Sequence, residues 1–77
     1  MRILRPDDIG ALIKSRRLEL GLDQQALAAR LGANRRWIWS VERGKPTVQL
    51  DLVLRVINEL GIHLSASLEP EQLPTTK

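Results

Sequence analysis

Glycines at positions 21, 32, 44 and 61 divide most of the chain into intervals of 11, 12 and 17 residues, and no other feature constrains the fold as much. Each interval has room for a helix of two to four turns and for nothing longer. Helix-starting residues follow the breaks: Asp23 comes two positions after Gly21, and Asn34 two positions after Gly32. Both are side chains that accept hydrogen bonds from the free N–H groups of a first helical turn. Between the breaks, apolar residues recur at helical spacing as Leu27, Ala28 and Leu31, then Ile38 and Val41, then Val53, Leu54, Ile57 and Leu60. Ahead of Gly21, Asp7 and Asp8 follow Pro6 and precede Ile9, Leu12, Ile13 and Leu20, a helix start with a carboxylate cap. The pattern predicts four helices: one ending at Gly21, a second from Gln24, a third from Arg35 to Arg43 and a fourth from about Leu50 to Leu60. Gly44, Lys45, Pro46 and Thr47 form the loop between the last two.

Beyond Gly61 the period shortens to two. Ile62, Leu64, Ala66 and Leu68 alternate with His63, Ser65 and Ser67, the pattern of a half-buried strand. A strand needs a partner for its backbone donors and acceptors. Arg2, Ile3, Leu4 and Arg5 could supply one, and so could the same strand of a second copy. The expected organisation is one domain over residues 1–68 and a mobile polar tail over 69–77, which holds Pro70 and Pro74.

Composition narrows the function classes. The chain has no Cys and one His, so it lacks a thiol nucleophile, a disulfide framework and a self-contained zinc site. No nucleophile–base pair stands out, and no enzyme activity, cofactor or metal is expected. His63 reads as a solvated residue on the polar side of the strand. No apolar run approaches the roughly 20 residues of a membrane span, and Asp7 and Asp8 spoil Met1–Gly10 as a signal peptide. The expectation is a cytoplasmic binding module. A domain of 77 residues buries only about 60% of its unfolded surface, a shortage that an oligomer would relieve.

Charge is unevenly distributed. Residues 1–49 carry ten basic and five acidic groups, a balance of +5, whereas residues 50–77 carry two basic and four acidic groups, a balance of −2. Arg30, Arg35, Arg36, Arg43 and Lys45 have only Glu42 among them. Such a patch suits a polyanion, although a solvated helix face has the same composition.

The second and third helices meet the packing demands of a helix-turn-helix. Ala28 is small where two backbones approach, and Gly32 tolerates the positive φ of a tight turn. The alternative is a plain helical hairpin in a bundle, and the third helix argues against it. Arg35, Arg36, Trp37 and Ser40 stand on its outer side just after the Asn34 cap. A recognition helix enters the major groove by this end, and Arg can bond both O6 and N7 of guanine. Two arginines at the positive end of a helix dipole are a poor choice for stability alone. Trp37 and Trp39 lie about 200° apart on a helix, so only one can face outward. Arg17 falls on the apolar stripe of Ile9, Ile13 and Leu20, where a charge needs a partner. Glu42, at the inner edge of the third helix, is the expected one.

From Ile9 to Leu60 the chain resembles the Cro/lambda-repressor-like (XRE) helix-turn-helix family. The resemblance is carried by Arg16–Arg17, the Gly21-Leu22-Asp23-Gln24 turn, Leu27–Ala28, Gly32 and the Glu42-Arg43-Gly44-Lys45-Pro46 ending. It implies a mostly α fold of four or five helices. Arg35, Arg36 and Ser40 would lie on bases of double-stranded DNA, and Gln24 on a phosphate. Arg43, Lys45 and their loop would flank the DNA backbone, and Asn34 would serve as cap and phosphate contact. Trp37 and Trp39 stand where the family often has small polar residues, and the role of Trp37 is open between DNA and core. The segment ELGIHLSASLEP, a strand in place of the usual fifth helix, resembles HipB-type antitoxins. That second resemblance implies a homodimer clasped through Ile62, Leu64, Ala66 and Leu68, a palindromic operator and a HipA-type kinase toxin as partner. A stand-alone or phage-type regulator and a pure protein-interaction module are the competing readings.

Overall fold

The computed structural model describes residues 1–68, which form four helices: α1 (Pro6–Glu19), α2 (Gln24–Leu31), α3 (Arg35–Glu42) and α4 (Leu50–Glu59). The expected tail at 69–77 lies outside the described residues. Helices α2 and α3 begin at the caps that the sequence marks. Asp23 Oδ1 accepts the Ala26 N–H at 2.7 Å, and Asn34 Oδ1 accepts the Trp37 N–H at 2.8 Å. Gly32 closes α2 at φ +67° and carries the chain into the turn toward α3.

The start of α1 differs from the sequence expectation. Asp7 and Asp8 lie inside the first turn, and the helix begins at Pro6 with Arg5 as its N-cap residue. Proline suits this position because its missing N–H has no intrahelical partner there. Asp8 reaches back, and its Oδ2 accepts the N–H groups of Leu4 at 2.8 Å and Arg5 at 2.9 Å. These bonds to the ionised form, Leu4's first, hold the Asp8 carboxyl below the usual aspartate range.

The core is a single cluster of Ile13, Leu27, Ala28, Leu31, Ile38, Val41, Val53, Val56, Ile57 and Leu60. Helix α3 packs against both α1 and α2, and α4 closes over α2. On α4 the buried face is Val53, Val56, Ile57 and Leu60, and Leu54 is exposed, contrary to the sequence reading. The buried set follows i, i+3, i+4, i+7, and Leu54 falls one residue off that stripe. Leu20, placed by sequence on the inner stripe of α1, is likewise exposed beyond the helix end.

Two arginines act as caps from a distance. Arg16 Nε donates to the Leu60 carbonyl at 2.9 Å, and Arg55 donates to the Leu31 carbonyl at 3.0 Å. Each satisfies an orphan carbonyl, at the ends of α4 and α2 respectively, and places a cation at the negative end of the helix dipole.

Gly10 sets the spacing between α1 and α3. A Cβ at this position would lie 2.5 Å from the Val41 carbonyl oxygen and 2.6 Å from that of Glu42. Both atoms are backbone and cannot rotate away. Gly10→Ala is therefore expected to cost about 1–3 kcal/mol by overpacking, even against the ~1 kcal/mol that Ala gains over Gly in a helix. Thermal unfolding of the variant measures this, and an unchanged or raised Tm would show slack between the helices.

Two features of the expected fold are corrected. There is no fifth helix among the described residues, because Gly61 ends α4: its N–H bonds to Asn58 O at 3.0 Å, and Ile62 N–H bonds to Ile57 O at 3.0 Å. Residues 62–68 belong to no strand in the single chain, and pairing with Arg2–Arg5 does not form. The two segments instead line the same apolar cleft, to which Ile3, Leu4 and Leu64 contribute alongside Ile9, Val53, Leu54 and Ile57. Ile62 packs partly against the chain's own core, whereas Leu64, Ala66 and Leu68 are exposed.

Candidate nucleic-acid interface

An ion pair fixes the orientation of α3. Arg17 Nε donates to Glu42 Oε2 at 2.7 Å, and a second guanidinium nitrogen donates to Oε1 at 3.0 Å. The remaining terminal nitrogen donates to Leu22 O at 2.7 Å. The two side chains are only 7% and 3% exposed. The bond to Glu42 raises the Arg17 guanidinium further above its ordinary range, against the opposing effect of burial. Gln24 Nε2 also donates to Glu42 Oε1, at 3.1 Å. One carboxylate on α3 thereby ties together α1 and the first residue of α2.

With α3 fixed, its outer surface is defined. At about 100° per residue, Arg35, Trp39, Arg43 and Arg36 fall in that order along one outward arc of about 100°, and Ser40 lies at its edge. Arg35, Arg36, Trp39 and Arg43 are exposed. Among the described residues, no carboxylate oxygen lies within 4.0 Å of a charged nitrogen of Arg35, Arg36, Arg43 or Lys45. Arg30, grouped by sequence with these cations, approaches Glu59 at 3.8 Å and so is partly neutralised. The exposed ridge is concentrated on α3 and the turn after it.

A polar cleft of about 380 Å³ runs beside the ridge, lined by Asn34, Arg36, Trp37, Ser40, Lys45, Thr47, Val48 and Gln49. It brings the cap of α3, a helix cation and the loop lysine to one surface. Lys45 is held there by its own backbone, whose N–H donates to Ser40 O at 3.1 Å. A phosphate oxyanion could take Arg36, Lys45 and the cleft hydroxyls as donors together. Gln24 lies apart, at the start of α2, with an amide N–H given to Glu42.

The tryptophans separate as helical geometry requires. Trp37 is half-buried, packs on the core cluster and forms one wall of the polar cleft. Trp39 is 46% exposed, with the Arg43 guanidinium over its ring at 4.7 Å from the centroid. Trp37 thus meets both the core and the polar cleft, the two places the sequence leaves open for it. Trp39, which is not among the interface residues expected from the sequence, lies about 40° from Arg35 around the helix, an angular relation that helical spacing already contains.

Among the described residues no group of three or more His, Cys, Asp or Glu side chains could hold a metal ion. No helix of the described residues is long and apolar enough to cross a membrane.

Two short helices joined at Gly32, the second locked by a buried ion pair and carrying exposed cations on its outer side, define a helix-turn-helix. The chain belongs to the helix-turn-helix domain family, which matches residues 8–66. It is similar to y4mF of Sinorhizobium fredii, which bears the name of an uncharacterized HTH-type transcriptional regulator, at 47% identity over 60 residues. That alignment spans 78% of this chain and 79% of the relative. A second relative, from Methanothermobacter thermautotrophicus and also named as an uncharacterized HTH-type transcriptional regulator, is 42% identical over 50 residues, covering 65% of this chain and 72% of its own.

Proposed function

We propose that the protein is a sequence-specific repressor that binds double-stranded DNA through α3. The observation that carries this reading is the outward ridge of α3, where Arg35, Arg36 and Arg43 stand exposed and have no carboxylate partner among the described residues. The regulator names of both relatives support it. Arg35, Arg36 and Ser40 read bases in the major groove, while Asn34, Arg43, Lys45 and Gln24 meet the backbone on either side.

The repressor acts as a homodimer on a palindromic site, with two α3 helices about 34 Å apart. Support comes from the apolar surface that one chain leaves open. The cleft beside α4 encloses about 420 Å³, Leu64 lies on its wall, and Leu68 is 95% exposed. Pairing of residues 62–68 between two copies supplies the strand partner that the alternating pattern calls for and covers Leu64 and Leu68. The same segment is the basis for a finer role, that of an antitoxin which represses its own operon and binds a HipA-type kinase in the cytoplasm. A kinase encoded beside the gene and co-purifying with the protein distinguishes this role from that of a stand-alone regulator.

The function is tested by mobility shift of the region upstream of the gene against random duplex of equal length. Preferential binding that weakens steeply with salt is expected, and equal binding of both duplexes would reject the reading. The dimer is tested by sedimentation of Leu64→Glu/Leu68→Glu. Both positions are exposed in the single chain, so the helical fold is expected to be retained by circular dichroism while the mass halves, operator affinity falls and Tm drops by the share that association contributes; a chain that stays dimeric would reject strand pairing.

A further inference from the structure

We infer that Trp39 is a specificity residue that covers the 5-methyl edge of a thymine in the major groove. This inference rests on the DNA-binding reading above and adds a contact of different chemistry to it. Trp39 takes no part in the core, which closes without it, yet it is not a free side chain: Arg43 stacks over its ring at 4.7 Å. A cation–π pair of this kind limits the rotamers of an exposed ring. The loss of freedom on meeting a ligand is correspondingly smaller.

Position decides the ligand. Trp39 lies on the arc between Arg35 and Arg43, about 6 Å along the helix axis from Arg35 and 4.5 Å from Arg36. A helix that sets both arginines against base edges therefore carries this ring into the same groove, one turn further along. The donors and acceptors of the groove suit the arginines. The one apolar group it displays is the thymine methyl, and an indole face is the matching surface. Arg43 covers one face of the ring, and its guanidinium N–H groups, which make no hydrogen bond among the described residues, are left for a phosphate. Guanine contacts by the arginines and a thymine contact by Trp39 thus give the ridge two kinds of readout.

The test uses the full-length protein and the duplex that it enriches from a random-sequence pool. Each thymine of one half-site is replaced in turn by uracil, which removes only the methyl group, and affinity is measured for wild type and Trp39→Ala. One position is expected to weaken wild-type binding about four-fold, the worth of one buried methyl. Trp39→Ala is expected to bind the thymine duplex more weakly, to be indifferent to uracil at that position, and to keep its Tm. Wild-type binding that is insensitive to uracil everywhere, or a variant that stays sensitive at the same position, overturns the inference while leaving DNA binding intact. Failure of the wild type to enrich any duplex overturns both readings.

Discussion

Glu42→Ala is expected to destabilise the domain by about 3–5 kcal/mol, the cost of leaving a buried charge unpaired. Arg17 loses both of its bonds to α3 and keeps only the one to Leu22 O, and Gln24 loses its acceptor. In a domain this small, a loss of that size lowers Tm by roughly 15 °C or more, which thermal unfolding by circular dichroism measures. Glu42→Gln keeps an oxygen acceptor without the charge and should fall between the two. The double variant Arg17→Met/Glu42→Leu separates charge from packing. Replacing a buried ion pair by apolar residues of similar size is often neutral, so the double variant is expected to be more stable than Glu42→Ala. A Glu42→Ala protein with unchanged Tm would show that the pair does not hold α1 against α3.

The arginines of α3 are expected to behave in the opposite way, with large effects on binding and almost none on folding. Arg35→Ala and Arg36→Ala each remove an exposed cation from the positive end of the helix dipole, so Tm should stay level or rise slightly. Affinity for the enriched duplex should fall about 5- to 150-fold for each, which corresponds to the 1–3 kcal/mol of a bidentate contact to guanine. Affinity for random duplex should fall much less. Titration of both duplexes by fluorescence anisotropy, at one fixed salt concentration, gives the two ratios. Equal losses on both duplexes would make the arginines phosphate contacts. Arg36 is the more exposed to that outcome, since it lines the polar cleft with Lys45.

Helix positions were legible because their signals are local. Asp23 and Asn34 bond N–H groups three residues ahead, and Gly32 takes the conformation its turn requires without reference to the rest of the molecule. The clustering of Arg35, Arg36 and Ser40 followed from helical spacing, which needs no tertiary information. Features created by approach between helices were harder to read. Gly10 sits within an ordinary helical stretch, and nothing nearby in sequence announces that two carbonyl oxygens of α3 come against it. Arg16 and Arg55 look like surface cations until the ends of α4 and α2 are placed beside them. Leu54 reads as inward because it is apolar, but the choice between it and Val56 depends on which side of α4 meets α2. The alternation over residues 62–68 is a different case, since a single chain holds only half of any pairing between copies.

The amide of Gln24 has a consequence for how grip and fold are linked. A terminal amide carries two hydrogens, and one of them is given to the carboxylate that also clasps Arg17. The side chain is only partly covered, so its other hydrogen can serve an incoming phosphate. A ligand seated there would be aligned by the molecule's deepest charge, and a loosened keystone would blunt the outer grip before the domain came apart.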